Sequence, residues 1–259
     1  MAGRFDGKVA VVTGSSSGIG QAIAVRLGSE GAAVVIDYCG HEDGAKQTQS
    51  QILAANAQAK AIIVRADVTK VSDTNNLMEQ AWTQLGGCDI LVNNAGIEKS
   101  ADFWDVTEAD YDEVMDTNLK GAFFLTQAFV RKLRDAKKPG RVINISSVHE
   151  DMVFPHFQSY CAAKGGLRML MRDLAVELGP LGITVNNVAP GAISTPINKS
   201  LMEDKSKLDP LLRNIPLGRL GTPQEVAGLV AWLASDEAVY VTGSTYFIDG
   251  GLIRNYHEQ

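Results

Sequence analysis

The sequence predicts a single doubly wound α/β domain, in which a parallel sheet of about seven strands carries helices on both faces. Short runs of β-branched and other apolar residues alternate along the chain with longer segments of helical periodicity. The short runs are continuously apolar, which is typical of parallel strands buried on both sides. Right-handed crossovers between such strands place the helices on the two faces of the sheet.

The predicted elements follow one another in a regular order. Val9–Val12 has the composition of a buried strand, and residues 20–30 then place Ile23, Ala24 and Leu27 on one helical face. Further strands are expected at residues 34–36, 61–64, 90–92, 142–145, 183–188 and 245–248, with helices at residues 43–57, 73–85, 111–134 and 160–178 and helical pieces up to residue 234.

One segment interrupts this order. Residues 194–214 break the alternation of strand and helix and contain the polar run from Glu203 to Lys207, so we expect the weakest order there. The segment is interpreted either as a substrate loop or as a plain surface insertion. Since no linker, repeat or low-complexity tract divides the chain, residues 1–259 are expected to form one domain.

Composition excludes several classes of protein. The 30 acidic and 24 basic residues give a net charge of −6 without a long run of either sign, which favours neither nucleic acid nor an anionic membrane as partner. Cys39, Cys88 and Cys161 lie far apart, so neither a zinc site nor a disulfide framework is predicted. With no apolar stretch of signal-peptide or membrane-helix type, a cytoplasmic location is expected.

A glycine-rich segment follows the first strand directly and opens the first helix. Glycines there permit a sharp turn and a close approach of backbone N–H groups to a diphosphate, and the helix N-terminus adds partial positive charge. A glycine turn that binds nothing is the alternative, but the position between strand and helix favours a dinucleotide site. The cofactor-binding candidates in this segment are Gly14, Ser16, Ser17, Gly18, Ile19 and Gly20.

Polar and small residues end the next three strands. Asp37 and Tyr38 end the second strand, Asp67 and Val68 follow the third, and Asn94, Ala95 and Gly96 follow the fourth. Each alone is typical of a cap or turn. Together, at the carboxyl edge of one sheet, they predict contacts to the ribose, the adenine and the flat nicotinamide ring.

The choice between NAD and NADP depends on charge near the adenosine ribose, because NADP requires a basic partner for its 2′-phosphate. Residues 37–40 contain the acid Asp37 and no base. We therefore expect NAD to be preferred, with NADP possible.

Tyr160 and Lys164 are four residues apart on a predicted helix, so their side chains share one face. An ammonium group, together with the positive nicotinamide of an oxidised cofactor, would lower the pKa of the tyrosine and make it a base. Ser147 ends the preceding strand and is placed to contact the substrate oxygen, and Asn118 is expected to begin the helix after the fourth strand. A solvated helix face is the alternative for the Tyr160–Lys164 pair.

In combination these residues resemble the short-chain dehydrogenase/reductase family over essentially the whole length. The resemblance is carried by residues 13–20, Asp67, residues 93–96, Asn118, Ser147, Tyr160, Lys164, Pro190, Gly191 and residues 249–251. It implies a Rossmann-type fold and an NAD(P)-dependent enzyme acting on CH–OH groups, and it implies no metal. It also implies a homotetramer, with the Asn118 and Tyr160 helices and the last strand at subunit contacts.

The resemblance also implies roles for individual residues. Tyr160 would be the general acid/base and Ser147 would hold the reacting oxygen. Lys164 would bind the nicotinamide ribose, and Asn118 would hold a water in a proton relay. Pro190, Gly191, Ile193 and Thr195 would flank the nicotinamide, with Tyr160 and Lys164 also contacting the cofactor.

Within the family, the segments around the site are most similar to bacterial glucose 1-dehydrogenases. Glu98, Ser147, His149 and Asn198 are the substrate-contact candidates, because a sugar requires many hydrogen-bond partners. Two departures concern the cofactor: Cys39 stands where those enzymes tend to carry a base, and the acid typical of NAD preference would fall at Tyr38 rather than Asp37.

The favoured function is oxidation of a sugar or polyol hydroxyl, and the hydroxyl at C1 of glucose is the favoured candidate. The main alternative is a 3-oxoacyl (acyl carrier protein) reductase or another carbonyl reductase of the family. Such an enzyme would require an apolar substrate cleft and would usually use NADPH. A non-catalytic nucleotide-sensing protein is the remote alternative.

Overall fold

The computed structural model describes residues 3–255. It contains a seven-stranded, wholly parallel sheet in the order β3-β2-β1-β4-β5-β6-β7. The strands are β1 Val9–Val12, β2 Ala33–Tyr38, β3 Ala61–Arg65, β4 Ile90–Asn93, β5 Gly140–Ile145, β6 Ile183–Pro190 and β7 Thr245–Ile248. The helices are α1 Gly18–Ser29, α2 Glu42–Ala55, α3 Val71–Leu85, α4 Glu108–Met115, α5 Gly121–Ala136, α6 Gln158–Leu178, α7 Lys199–Glu203, α8 Lys205–Asn214 and α9 Pro223–Ala234.

Apolar packing covers both faces of the sheet. One core cluster joins Ile23 of α1 and Val226 of α9 to one side of the strands. The other joins Leu77 of α3, Phe129 of α5 and Met171 of α6 to the opposite side. Because both faces are buried, every residue of β1, β4 and β6 is buried, including the polar residues within β4 and β6.

The sheet also positions a ligand crevice. β1 pairs with β2 on one side and with β4 on the other, so the strand order reverses between β1 and β4. In open parallel sheets, ligands bind beyond the carboxyl ends of the strands at such a reversal. The doubly wound fold is confirmed, and among residues 3–255 no helix is long and apolar enough to cross a membrane.

The segment expected as a helix at residues 111–134 is helical throughout, as α4, a π-helical turn at Asp116–Lys120 and α5. The prediction that Asn118 begins a helix was wrong, because Asn118 lies inside the π-helical turn. Residues 194–214 are mostly helical, in a 3₁₀ turn, α7 and α8. Their polar composition hides this, because these helices lie on the surface and α8 contains Pro210.

Candidate active site

A cavity with a volume of about 1350 Å³ lies at the carboxyl edge of the sheet. It runs from the glycine-rich loop to the segment between β5 and α6. Most of the predicted site residues line it: Gly14, Ser16, Ser17, Gly18, Ile19, Gly20, Asp37, Asp67, Val68, Asn94, Ala95, Gly96, Glu98, Ser147, His149, Tyr160, Lys164, Pro190, Gly191, Ile193, Thr195 and Asn198. Two do not, Tyr38 and Asn118.

The glycine-rich loop is held tightly against the end of β4. Gly14 and Gly18 adopt positive φ angles of 59° and 56°, which favour glycine. A Cβ at Gly20 would lie 2.4 Å from Asn94 Nδ2 and 2.5 Å from the Gly14 oxygen. The Asn94 amide donates to the Thr13 oxygen at 2.8 Å, so the same asparagine fixes the loop and the strand end.

This loop fits a dinucleotide diphosphate. The N-cap residue of α1, Ser17, makes no side-chain capping hydrogen bond, so the first N–H groups of the helix are left for another acceptor. They open onto the cavity beside Gly18 and Ile19. Backbone donors and the helix dipole together suit an anionic group.

Asp37 faces the loop. Its Oδ2 accepts from the Gly14 N–H at 3.0 Å, and its Oδ1 makes no hydrogen bond within residues 3–255. Burial raises the pKa of this carboxyl to about 7. Tyr38 packs its ring against the apolar core. The prediction that Tyr38 lines the cofactor cleft therefore has no support in this geometry, because strand alternation turns its side chain to the other side.

Asp67 and Val68 lie across the cavity from the β2–α2 turn. The Asp67 carboxylate accepts hydrogen bonds from the hydroxyl and the N–H of Thr69, at 2.7 and 3.1 Å, and lies 3.2 Å from Lys70 Nζ. The hydrogen bond from Thr69 is the main reason that the pKa of Asp67 lies below its usual range. Asp67 is thus an ionised acceptor at the adenosine end.

Small residues line the middle of the cavity. Thr13 Oγ1 accepts from the N–H groups of both Asn94 and Ala95 at 2.9 Å, which holds this strand end flat. Opposite, Gly191 packs so closely that a Cβ would lie 2.8 Å from the Asp249 Cβ. A flat ring has room between these two backbone segments.

Tyr160, Ser147 and Lys164 stand together at the far end. Burial raises the pKa of Tyr160 to about 12, and its hydrogen bond with Ser147 acts in the opposite direction. Lys164 Nζ lies 5.5 Å from the centre of the Tyr160 ring and donates to the Ile145 oxygen at 2.8 Å. The expectation that Lys164 lowers the tyrosine pKa is not met by the protein alone, since burial is the larger effect.

Burial also lowers the pKa of Lys164, to about 8, and the charge of Glu150 acts against that shift. Asn118 lies behind this group. Its Oδ1 accepts from the Ile97 N–H at 2.8 Å, and its Nδ2 donates to the Ile97 oxygen at 2.7 Å. Both ends of this side-chain amide are therefore engaged by the backbone of one residue, Ile97, which precedes Glu98.

The substrate candidates other than Ser147, which are Glu98, His149 and Asn198, line the same end. Burial raises the pKa of the Glu98 carboxyl. His149 stacks on Phe154, with ring centres 4.2 Å apart, and its Nδ1 lies 3.2 Å from the Met152 oxygen. Asn198 Nδ2 donates to the Ile193 oxygen at 2.8 Å, so part of its amide is used within the protein.

Sequence reasoning missed an apolar wall at this end. It consists of Met152, Val153, Phe154, Ile197, Leu201 and Leu211. The signal available was the apolar triplet at residues 152–154 between Ser147 and Tyr160. Leu201 and Leu211 come from the segment expected to be weakly ordered, and nothing local indicated that they face the cleft.

It also missed a ladder of buried polar side chains across β4, β5 and β6. Asn93 Nδ2 donates to Asn144 Oδ1 at 2.9 Å, and Asn144 Nδ2 donates to Asn187 Oδ1 at 3.0 Å. Asn187 Nδ2 then donates to Glu150 Oε2 at 2.9 Å. Asparagines inside otherwise apolar strands were the signal, because a buried amide requires partners.

Among residues 3–255, no group of three or more His, Cys, Asp or Glu side chains is arranged to hold a metal ion. The site is therefore built from a glycine-rich loop, flat strand ends and a Ser–Tyr–Lys group.

Comparison with known proteins agrees with this geometry. A family model described as enoyl-(acyl carrier protein) reductase matches residues 14–253. The chain is 45% identical to 3β-hydroxysteroid dehydrogenase 1 of Eggerthella lenta over 95% of this chain and 94% of that protein. It is 40% identical to glucose 1-dehydrogenase 2 of Bacillus subtilis over 95% of each.

A solved structure of gluconate 5-dehydrogenase from Burkholderia cenocepacia, in complex with NADP and tartrate, superposes with a TM-score of 0.91 at 33% identity, covering 98% of this chain and 99% of that one. Relatives this similar, matched over nearly their whole length, share a family. The chain belongs to the short-chain dehydrogenase/reductase family and is an NAD(P)-dependent oxidoreductase acting on hydroxyl groups.

Proposed function

We propose that this oxidoreductase transfers a hydride between a hydroxyl-bearing carbon and the nicotinamide, with Tyr160 as general acid/base. The observation that carries the proposal is the meeting of Tyr160, Ser147 and Lys164 on one wall of the cavity. The glycine-rich loop lies at the other end of the same cavity, so one extended ligand would contact both.

Each side chain then has a task. The Ser147 hydroxyl would hold the substrate oxygen, and Tyr160 would take the hydroxyl proton as the C–H bond breaks. The bound cofactor supplies the hydride acceptor, and its oxidised form carries positive charge. Since the protein alone leaves the pKa of Tyr160 at about 12, that added charge is required to bring the phenolate within reach of neutral pH.

Two more residues support the proton path. Lys164 would contact the nicotinamide ribose and carry positive charge near the tyrosine ring. Asn118 is proposed to hold the water of a proton relay. Because its side-chain amide is engaged by Ile97, backbone groups of the π-helical turn would supply the contact.

The favoured substrate is a sugar or polyol, with C1 of glucose first. Its support is the presence of Glu98 and His149 on the cleft, whose carboxylate and Nε2 are free to bind hydroxyl groups within the described structure. The relative of 40% identity named glucose 1-dehydrogenase 2 is in agreement.

A second candidate is an apolar cyclic alcohol or ketone of steroid type. The apolar wall of Met152, Val153, Phe154, Ile197, Leu201 and Leu211 favours it, because a saturated ring system buries well against such side chains. The relative of 45% identity is named as a 3β-hydroxysteroid dehydrogenase. The same wall would also suit a 3-oxoacyl reductase, which remains the alternative of the carbonyl-reducing type.

The preference for NAD stays a prediction. The argument for NAD is weakened, because Asp37 is bound to the loop and a pKa of about 7 reduces its negative charge near neutral pH. Arg65 Nε donates to the Cys39 oxygen at 3.2 Å, beside the turn where a 2′-phosphate would lie. We therefore propose that NADP is accepted as well as NAD.

The test is a panel of alcohols offered to the purified protein with each oxidised cofactor in turn. Glucose and other sugars form one set, and hydroxysteroids and small cyclic alcohols form another, with 3-oxoacyl thioesters and reduced cofactor as a third. Turnover with sugars alone supports the favoured substrate. Turnover confined to hydroxysteroids or to oxoacyl thioesters overturns it in favour of the corresponding candidate.

We also propose that residues 1–259 act as one dinucleotide-binding and catalytic unit, that the chain assembles as a homotetramer and that it resides in the cytoplasm. The apolar α6 face of Leu167, Leu170, Met171 and Leu174 was expected to pack either on a partner subunit or on the sheet, and Leu167 and Met171 are buried within the protomer. Met169, Val176 and Tyr240 are instead exposed by 61%, 80% and 100%, which supports a partner on this side. A monomer in light scattering would overturn the tetramer.

A further inference from the structure

The segment after β7, residues 249–251, has no part in the proposed reaction, although the family resemblance includes it. Its carboxylate, on Asp249, accepts from the N–H groups of Gly251 and Ile253, at 2.9 and 2.8 Å. Each carboxylate oxygen receives one of these hydrogen bonds, which fixes the start of a 3₁₀ turn, Leu252–Arg254. The segment therefore builds a turn at the carboxyl end of the last strand.

The two glycines of this segment pack against the loop that follows α8. A Cβ at Gly250 would lie 2.7 Å from Ile215 Cγ2, and a Cβ at Gly251 would lie 2.9 Å from Pro216 Cγ. The Gly250 oxygen also accepts from the Leu217 N–H at 3.1 Å. Because glycine permits this close approach of two backbone segments, the turn after β7 and the loop after α8 pack as one unit.

A side chain joins the same turn to α8 itself. Asn255 Nδ2 donates at 2.8 Å to the oxygen of Asn214, the last residue of α8. The Asn255 N–H donates to the Leu252 oxygen at 3.2 Å, which closes the turn. Leu252 is therefore linked to the end of α8 through a single residue.

Leu252 lies on the substrate side of the cavity. The Gly191 N–H donates to the Ile248 oxygen at 3.0 Å, so the turn after β7 starts beside the middle of the cleft. Leu252 lines the cavity together with Leu211, which lies about one helical turn before Asn214. Two aliphatic side chains from distant parts of the chain therefore extend the apolar wall.

We propose that Leu252 is a specificity-determining residue that packs against a saturated ring of the alcohol substrate, and that Asn255 is the positioning residue that holds α8 beside it. The inference rests on the proposed function and deepens its second candidate, an apolar cyclic alcohol. A saturated ring buries well between Leu252 and Leu211, whereas the hydroxyl groups of a polyol would find no hydrogen-bond partner on these side chains.

The first experiment measures ketone binding by calorimetry in the protein saturated with oxidised cofactor, a combination that cannot exchange a hydride. Cyclohexanone is compared with β-decalone, which adds one fused saturated ring. The parent protein should prefer β-decalone, and in Leu252→Ala this preference should fall roughly 10-fold, the size of a lost contact in an apolar pocket. Leu252→Val is the milder truncation if Leu252→Ala does not fold.

Ile253→Ala is the matched control for this experiment. Ile253 is a neighbouring aliphatic residue of the same turn and is not among the residues that line the cavity, so the preference should stay within about twofold of the parent value. A β-decalone preference that is absent from the parent protein, unchanged in Leu252→Ala, or reduced equally in Ile253→Ala would overturn the role of Leu252.

The second experiment measures amide hydrogen exchange in Asn255→Ala. Exchange in α8, Lys205–Asn214, should be roughly 5- to 10-fold faster, as expected for the loss of one hydrogen bond, and the preference for β-decalone should fall as well. Exchange in α9, Pro223–Ala234, should match the parent protein.

Unchanged exchange in α8, an equal acceleration in α9, or an unchanged preference between the two ketones would overturn the role of Asn255. Because neither experiment requires turnover, a protein that binds the ketone and oxidises no alcohol would count against the proposed function only.

Discussion

The two ends of the cleft each bury a carboxyl side chain, and the two are stabilised in different ways. At the adenosine end, Asp37 has one hydrogen bond to the Gly14 N–H, a second oxygen that makes no hydrogen bond within residues 3–255, and a pKa raised to about 7. At the catalytic end, Glu150 has neutral donors on both oxygens and Arg168 beside it. Burial raises the pKa of Asp37 to about 7, so its proton is lost only near neutral pH, whereas the Glu150 carboxyl lies against a cation, Arg168.

The difference follows from what each end has to bind. A loop of backbone N–H groups that receives a diphosphate has no use for a fixed negative charge beside it. A tyrosine that must become a phenolate requires a cation nearby, and a buried cation requires an anion in turn. The comparison therefore predicts opposite signs when the carboxylate is replaced by an amide at the two ends.

The largest effect is expected at Glu150. Glu150→Gln removes the buried carboxylate that lies 3.6 Å from Arg168 and leaves Arg168 with Asp151 alone, and breaking a buried pair costs about 3–5 kcal/mol. The free energy of unfolding, measured by urea titration near neutral pH, should fall by that amount. A loss below about 1 kcal/mol, the size typical of an exposed ion pair, would contradict the difference between Glu150 and Asp37 described above.

Asp37→Asn should act in the other direction. The carboxyl titrates near 3.8 in the unfolded chain and at about 7 in the fold, so the folded state keeps its proton longer and stability falls as pH rises between these values. The amide oxygen can still accept from Gly14. Above about pH 7 the variant should gain up to about 4 kcal/mol, and the decline between the two pKa values should flatten.

Urea titrations of Asp37→Asn and the parent protein across this pH range provide the check. Equal pH dependence in the two proteins would show that Asp37 is not the protonated group. The same series on Glu150→Gln serves as the control, since no gain is expected there at any pH.

A smaller effect is expected from the glycine-rich loop. Gly20→Ala forces a Cβ to within 2.4 Å of Asn94 Nδ2, so it should cost about 1–3 kcal/mol of stability and weaken binding of adenosine diphosphate in calorimetry. Gly228→Ala is the matched control. Gly228 lies inside α9, and its Cβ would lie 3.9 Å from Arg26 Nη1 of α1, so about 0.5–1 kcal/mol should be gained with unchanged binding.

Equal losses in these two glycine variants would contradict the close packing of the loop on β4. Unchanged nucleotide binding in Gly20→Ala would show that the loop is not part of the cofactor site.

The same comparison shows which features of the two ends can be predicted from the sequence. The succession of strands and helices along the chain, the glycine-rich loop and the Tyr160–Lys164 pair depend on short-range patterns. They could therefore be predicted from the local sequence. The direction of the Tyr38 side chain could not, because a single step along β2 reverses the face on which a residue lies. The partner of Asp37 could not either, since Gly14 is 23 residues away.

The catalytic end was harder to predict from the sequence, because its side chains come from distant parts of the chain. Asn187 and Thr245 meet Glu150 from positions 37 and 95 residues distant, and no local pattern links them. The π-helical turn at Asn118 interrupts a segment whose apolar periodicity is that of one continuous helix. The apolar wall combines residues of the β5–α6 segment with Leu201 and Leu211, which only the fold brings together.

The measurement that tests the central claim most directly is the rate of hydride transfer in Tyr160→Phe, with the best alcohol of the panel and saturating cofactor. The substitution removes one hydroxyl and keeps the ring, so folding and binding of adenosine diphosphate should be unchanged. We predict that turnover falls by about 10²- to 10⁴-fold, the contribution of a general acid/base. Turnover within about twofold of the parent protein, with intact cofactor binding, would contradict the assignment of Tyr160.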